Sequence, residues 1–511
     1  VPYPLILAHD FGTTGDKITL FDTETGAAVA SVFEPYPTAY PQPNWAEQDP
    51  ADWQSALYQG TRRLLDQAAA QCGTLPGDIA AVSFSGTMNG ALAVDPDGHP
   101  LRPAILWADQ RAIAEAQRLA HACGEAHVYR VTGTRVTPSC SAAKFLWIQT
   151  HQPEVYAHTH VFLQAKDYAA FLLTGIFASD YSDASNTNLF DLAAKRWASD
   201  LVETAGLDPA RLPSLSPSTS IVGRVTADAA RLTGLLAGTP VVIGGGDGAC
   251  ATVGAGAVHP GDTYANIGSS SWLAVTARQP LHDPAMRTFN LAHLDPDLVI
   301  ALGSMQAAGG AFDWLERLLR SEGQPPLYDA LSAAAASAPA GANDLLFLPY
   351  LLGERSPYWN PLARGAFVGL TMTHGRAEMA RAVLEGVGFN MRLILDALRA
   401  QHDILSENAG ITTMRLIGGG ARSPLWRQIL ADMFGLSILL PELVTEATSL
   451  GAAIAGGVGV GIFASFAAAA SFIHVRAAAH PEPGAQARYA ALAPLFEAAY
   501  RGLEPLFNQL R

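Results

Sequence analysis

The stretch Leu5-Ile6-Leu7-Ala8-His9-Asp10-Phe11-Gly12-Thr13-Thr14-Gly15-Asp16-Lys17 decides the fold. An apolar strand pattern delivers an acid, and the acid heads a turn of small residues followed closely by a lysine. Glycines let backbone amides approach an anion, threonine hydroxyls add donors, and Lys17 supplies charge. Past the midpoint a second element of the same kind appears, Tyr264-Ala265-Asn266-Ile267-Gly268-Ser269-Ser270-Ser271. Two such turns, each after a strand pattern, suit a chain that grips a polyphosphate from two sides. With a carboxylate at the head of the first, phosphoryl transfer is the leading expectation.

Working outward, the opening reads as strands at Leu5–Ala8, 17–22 and 27–33, then a helix from about Ala51 to Ala70 introduced by Asp49-Pro50. Another apolar strand covers 79–84. Around Pro240-Val241-Val242-Ile243 a strand ends in Gly244-Gly245-Gly246-Asp247, and after His259-Pro260-Gly261 the opening pattern starts again, with strands at 263–267, 271–276 and 298–302. Helices are expected over Arg376–Arg399 and Pro424–Phe434. At 511 residues the chain is too long for one core. The weak duplication predicts two related α/β domains, 1–256 and 257–511, facing a cleft.

A net charge of −14 without a Lys/Arg stripe argues against nucleic acid as a partner. The four cysteines, Cys72, Cys123, Cys140 and Cys250, show no paired spacing. They are expected to be reduced and buried, as in a cytoplasmic protein. The opening residues lack a basic n-region, so no secretory signal is expected. From Ser449 to Phe472 no side chain is charged, which raises a membrane span. Its many Ala and Gly residues make it only modestly apolar, so a buried helix, a turn and a second helix are expected instead.

Competing nucleotide and catalytic fingerprints are missing: no GxxxxGK[ST], no GxGxxG leading into a helix, no HExxH and no GxSxG. Asp10 alone would read as a turn residue capping its own loop. Coupled to Gly12, Thr13, Thr14 and Lys17 it reads as part of a phosphate site. Asp247 closes a very apolar strand, where open α/β sheets place their chemistry. As a general base it would accept the proton of an attacking hydroxyl; as a plain structural residue it would be a helix N-cap. In Leu416-Ile417-Gly418-Gly419-Gly420-Ala421-Arg422-Ser423 a strand ends in three glycines before a helix. That is more than a tight turn needs, and it suggests close contact with a flat or anionic ligand.

Together these residues resemble the FGGY carbohydrate kinases, a branch of the sugar kinase, actin and chaperone ATPase superfamily. Two long signatures carry the resemblance: Ser139-Cys140-Ser141-Ala142-Ala143-Lys144-Phe145-Leu146-Trp147-Ile148, and Gly365-Ala366-Phe367-Val368-Gly369-Leu370 with Glu378-Met379-Ala380-Arg381-Ala382-Val383-Leu384-Glu385. Lys166-Asp167-Tyr168, Leu173-Thr174-Gly175, Ser182-Asp183-Ala184-Ser185, Leu348-Pro349-Tyr350-Leu351 and Gly353-Glu354-Arg355 look most like the xylulose kinase branch. The resemblance implies two actin-like (ribonuclease H-like) ATPase domains flanking a cleft, ATP and Mg²⁺ as cofactors, and a sugar as acceptor. It implies Asp10 at Mg²⁺, with Thr13, Thr14 and Lys17 at the β- and γ-phosphates. Gly268, Ser269 and Ser270 would form the second phosphate loop, with Gly309 along the nucleotide and Gly419, Gly420 and Ala421 bordering adenosine. Asp247 would be the base, and Met88, Asn89, Trp107, Asp109 and Asp247 would meet sugar hydroxyls.

Two positions depart from the xylulose kinase pattern. Asn89 stands where those enzymes usually carry His, and Gly248 stands where they usually carry Asn. Both changes bear on substrate choice, because sites built around a hydroxyl discriminate through paired polar groups. D-xylulose to D-xylulose 5-phosphate is the expected reaction. The alternatives are another ketose, a glycerol-like polyol or a sugar acid, or an actin- or chaperone-like ATPase acting on a protein. The expected partners are sugar and ATP, without nucleic acid or membrane, and a homodimer is left open.

Overall fold

Leu5, Ile6, Leu7 and Ala8 are all buried because the strand they open is central in its sheet, covered on both faces. The computed structural model describes residues 4–321, 323–401, 411–442 and 446–510. The first sheet is built from β1 (Leu5–Phe11), β2 (Gly15–Asp22), β3 (Ala28–Pro35), β4 (Ile79–Gly86), β5 (Ile221–Arg224) and β6 (Pro240–Val242). A two-residue strand, β7 (Gly245–Gly246), pairs with the end of β4. Its order is β5-β6-β4-β1-β2-β3. The hairpin strands run antiparallel, whereas β1, β4 and β6 run parallel.

The second sheet repeats the plan with β8 (Thr263–Ile267), β9 (Ser271–Ala277), β10 (Phe289–Ala292), β11 (Val299–Met305), β12 (Thr413–Ile417), β13 (Ser437–Pro441) and β14 (Val475–Ala479). The order is β10-β11-β9-β8-β12-β13-β14, antiparallel through β11-β9-β8 and parallel through β8-β12-β13. Thus β3-β2-β1-β4-β6 and β11-β9-β8-β12-β13 share order and direction. The duplication suspected from the sequence is a duplication of topology.

Helix α1 (Pro50–Cys72) starts where Asp49 accepts the Ala51 amide and Pro50 fills the first turn, and it stops at Gly73 with φ 70°. Two short helices, α2 (Asp247–Gly254) and α3 (Ala447–Gly459), lie between the sheets. Their small residues share one buried cluster with Ile6 and Ala8 of β1, Val242 of β6, and Tyr264, Ala274 and Ile417 of the second sheet. A Cβ at Gly254 would stand 1.7 Å from the Ala447 carbonyl oxygen, and one at Gly451 would stand 1.9 Å from that of Cys250. The Ala/Gly richness is therefore a close helix crossing. Small residues, not lipid, explain the uncharged Ser449–Phe472 stretch. Among the described residues no helix is long and apolar enough to cross a membrane.

The expected buried helix, turn and second helix are found in the Ser449–Phe472 stretch, whereas the expectation of four buried cysteines is corrected. The helix runs unbroken through Gly456 and Gly457, because β1 and β4 press against it: a Cβ at Gly456 would already touch Ile6 and Ser83. The second helix of that stretch is a short 3-10 turn plus Ala469–Phe472. All four cysteines are free, but only Cys140 and Cys250 are buried. Cys72 is exposed because it falls in the last turn of α1, and Cys123 is only half-covered.

Candidate active site

Strand register puts the first acid at the centre of the site. Asp10 lies opposite Lys17 of β2 on one side and Ser85 of β4 on the other, and Ser85 in turn pairs with Gly245 of β7. Two residues beyond Gly245, Asp247 opens α2, with Gly246 as the capping residue, so Asp247 sits in the first turn and is not itself the N-cap. Its Oδ1 accepts the Gly248 amide at 2.7 Å. Burial, and next the charge of Asp10, push the Asp247 carboxyl up to about 7. Burial likewise lifts Asp10 to about 6, with Asp16 adding to the rise while the Ser85 hydroxyl and Lys17 oppose it. Two carboxylates that repel each other inside one site are a hard-oxygen donor set that a divalent cation would relieve.

The bend after β1 is tight: the Gly12 amide donates to the carbonyls of Asp10 (2.9 Å) and Gly15 (3.0 Å). Thr13 and Thr14 sit at its tip, half-exposed and exposed. The Thr13 hydroxyl accepts the Trp107 indole N–H at 3.0 Å, tying the phosphate turn to the sugar residues. Lys17 pairs with Glu446 at 3.1 Å, a residue at the start of α3. This contact joins the first-sheet hairpin to the C-terminal half.

Beyond β4 the chain makes the Met88-Asn89 corner. Asn89 has φ 63°, a left-handed conformation that Asn tolerates. Its Oδ1 is buried without a hydrogen-bond partner among the described residues. The corner is held by Lys144, whose Nζ donates to the carbonyls of Asn89 and Ser139. Lys144 belongs to the first signature, on the helix Ser141–His151, and burial lowers its pKa to about 7. Met88 packs against the glycine before the second acid: a Cβ at Gly246 would stand 2.5 Å from Met88 Cγ, whereas one at Gly248 would meet Leu291 and Met88 at 3.8 Å. Gly246 is required by packing, whereas a Cβ would fit at Gly248 in ordinary contact.

Asp109 differs from its expected role. It is fully buried, accepting the Ala46 amide at 2.6 Å and a bidentate pair from Arg111. Both oxygens are engaged by the protein, and they fix the segment that carries Trp107. Above Trp107 lies the Arg355 guanidinium, 5.9 Å from the ring centroid, which belongs to the C-terminal half.

The second group of expected residues gathers at the edge of the other sheet. Gly268, Ser269 and Ser270 follow β8, and the helix Gly309–Leu319 begins against them, with the Gly309 amide on the Gly268 carbonyl at 2.8 Å. A Cβ at Gly309 would come within 2.4 Å of that oxygen. Ser269 and Ser270 remain exposed. The three glycines after β12 need a different account from the expected one. Gly418 (φ 85°) and Gly420 are demanded by the protein itself, since Cβ atoms there would strike Asn266 and Ile267; only Gly419 faces open space. Ala421 is buried.

The structure therefore brings Asp10, Thr13, Lys17, Met88, Asn89, Trp107 and Asp247 into one group, and Gly268, Ser269, Ser270, Gly309, Gly419, Gly420 and Ala421 into another. Tyr264 of β8 links them, its hydroxyl meeting the Gly248 carbonyl at 3.3 Å. Sequence reasoning did not single out Ser85 beside Asp10, Lys144 beneath Asn89, or Glu446 on Lys17. Lys144 lies within the first signature without its role being marked there, and no motif announces Ser85 or Glu446, which act through strand register and a long-range contact.

Paired sheets of this topology, with an acid-headed hairpin at the edge of the first, define the actin-like class of phosphotransferase and ATPase folds. The chain belongs to the FGGY family of carbohydrate kinases: its N-terminal domain matches residues 5–254 and its C-terminal domain matches residues 263–460. It is a carbohydrate kinase, with a sugar and ATP as substrates. Xylulose kinase of Escherichia coli (strain K12) is 36% identical over 433 residues, 84% of this chain and 85% of that protein. Gluconokinase of Bacillus subtilis (strain 168) is 33% identical over 513 residues, 99% of this chain and 97% of that one. Ligand-bound xylulose kinase from Lactobacillus acidophilus superposes with a TM-score of 0.90 at 27% identity, covering 99% of both chains.

Proposed function

We propose that this kinase transfers the γ-phosphoryl group of ATP to a hydroxyl of D-xylulose, giving D-xylulose 5-phosphate. The observation that carries the reading is that Asp10 and Asp247 come together at the carboxyl ends of parallel strands in the first sheet, Asp10 beside Ser85 and Asp247 two residues past the Gly245 that pairs with Ser85. An Asp247 carboxyl lifted to about 7 is matched to accepting a hydroxyl proton at neutral pH. The unpartnered Asn89 Oδ1 beside it supplies an acceptor for a sugar hydroxyl.

In this reading Met88, Asn89, Trp107 and Asp247 line the sugar site, with Asp109 holding the Trp107 segment. Thr13, Thr14 and Lys17 meet the phosphates from the first sheet, and Gly268, Ser269 and Ser270 meet them from the second. Gly309, Gly419, Gly420 and Ala421 border the nucleotide. Asp10 would hold Mg²⁺, which neutralises phosphate charge when bound. The hydroxyl proton passes to an Asp247 carboxylate oxygen as its oxygen attacks phosphorus. Closing residues 1–256 on 257–511 would exclude water from that step. We further propose a cytoplasmic enzyme without nucleic acid partners, and a homodimer as its assembly.

A sugar acid is the second reading. The Arg355 guanidinium over Trp107 has no ion-pair partner among the described residues, gluconokinases are among the relatives, and Gly248 leaves room for a longer acceptor. A coupled ADP-release screen with D-xylulose, gluconate and glycerol tests both. Turnover of D-xylulose well above gluconate supports the first reading; the reverse order replaces it.

A further inference from the structure

Behind the two-residue strand that leads into Asp247 lies a buried charge cluster that the reaction as described does not use. Lys166 Nζ sits 2.7 Å from Asp167 Oδ1, 2.9 Å from Asp180 Oδ1 and 3.0 Å from Asp183 Oδ2, all four side chains being essentially without solvent contact. Lys166 holds its proton firmly against three carboxyl groups, whereas burial pushes Asp183 well above the carboxylate range. The cluster abuts the end of β4, where a Cβ at Gly86 would stand 3.0 Å from Lys166 Cβ.

From Asp180 a directed chain of hydrogen bonds leads to the site. Asp180 Oδ2 accepts the Ser182 amide at 2.8 Å and the hydroxyls of Ser182 at 2.5 Å and Ser218 at 2.7 Å. The Gly246 amide can only donate and takes the Ser182 oxygen at 2.9 Å, so the Ser182 proton points to Asp180. Gly246 is the residue before Asp247, in a two-residue strand with no side chains of its own to fix it. It has no room to shift toward Met88, against which it is packed.

We propose that Ser182, oriented by Asp180 on Lys166, is a positioning residue that sets where the Asp247 carboxylate stands in the closed site. The inference rests on the reading of Asp247 as the base. The Ser182 hydroxyl anchors the amide immediately before that acid, and because an amide N–H can only donate, the direction of the chain cannot reverse. Ser218 provides a matched control. Its hydroxyl gives the same carboxylate oxygen a hydrogen bond, but its side chain does not touch the Gly246 amide.

The test is steady-state kinetics of the full-length chain by coupled ADP release, using whichever of D-xylulose and gluconate it turns over, with thermal denaturation run alongside. Ser182→Ala should lower kcat by about 10- to 100-fold, the scale of a misplaced reacting group, with the KM for ATP unchanged. Ser218→Ala should lose comparable stability and keep its kcat. Equal kcat losses in the two variants, or a parental kcat in Ser182→Ala, overturn the proposal. Should Ser182→Ala fail to fold, Ser182→Cys keeps the size, weakens both hydrogen bonds and is judged by the same kcat criterion. Asp247→Asn separates the two levels of the argument. If it turns over normally, the base assignment fails. If it is inactive while Ser182→Ala is parental, only the role of Ser182 fails. Adding Ser182→Ala to Asp247→Asn should cause no further loss in residual kcat.

Discussion

Replacing Asp247 by Asn should stabilise the free protein at alkaline pH while abolishing most of its activity. Burial and Asp10 raise the carboxyl from the ordinary 3.8 to about 7. Three units correspond to about 4 kcal/mol, and because the residue is only partly buried about 2 kcal/mol is the realistic share. The unfolded chain gives up this proton near pH 4 and the folded chain near pH 7. The protonated acid therefore favours the fold below about pH 4, the advantage drains away between about 4 and 7, and above that the ionised carboxylate opposes folding. Asn cannot ionise, so the Asp247→Asn variant should equal its parent near pH 4 and exceed it by about 2 kcal/mol at pH 8. For a folding unit of this size that is several degrees in Tm. The assay is thermal denaturation at both pH values without nucleotide or divalent cation, with turnover measured on the same samples. Turnover should drop on the order of 10²-fold or more. A variant that gains nothing at pH 8, or that keeps near-normal turnover, refutes the reasoning.

The other expectations are more local. Activity should rise with pH, kcat/KM falling off on the acid side with an apparent pKa near 7 that belongs to the Asp10–Asp247 pair; a flat profile from about pH 5 to 8 would remove the base. Lys17→Ala should raise the KM for ATP far more than that for the sugar, and equal losses would make the hairpin merely structural. Lys144→Met strips two carbonyls of their donor, one of them on Asn89, and should raise the sugar KM about tenfold with ATP binding intact. Gly309→Ala forces a Cβ against the Gly268 oxygen and should weaken ATP binding while leaving isothermal titration with sugar unchanged.

Much of the fold was legible because its signals are local. The helix Arg376–Arg399 starts where Glu378 accepts the Gly375 amide, and the strand Thr263–Ile267 ends at the Gly268-Ser269 turn. Asp10 and Asp247 were legible because each closes an apolar strand. The part Asp109 plays in holding its segment was not legible, because its partners include the distant Ala46 amide as well as Arg111. That Gly418 and Gly420 are also required by packing was not legible, because a sequence does not reveal that β8 presses on them.

What the chain order by itself determined is the set of strands, turns and acids, since periodicity, capping and turn chemistry act over a few residues. Only the tertiary structure decided which of them face each other. Asp10 touches the environment of Asp247 through Ser85, Lys17 reaches Glu446, and Ser182 reaches Gly246. Those partners are 64 to 429 residues apart. Their meeting depends on strand register and on two small-residue helices crossing closely between the sheets, which no short-range rule encodes.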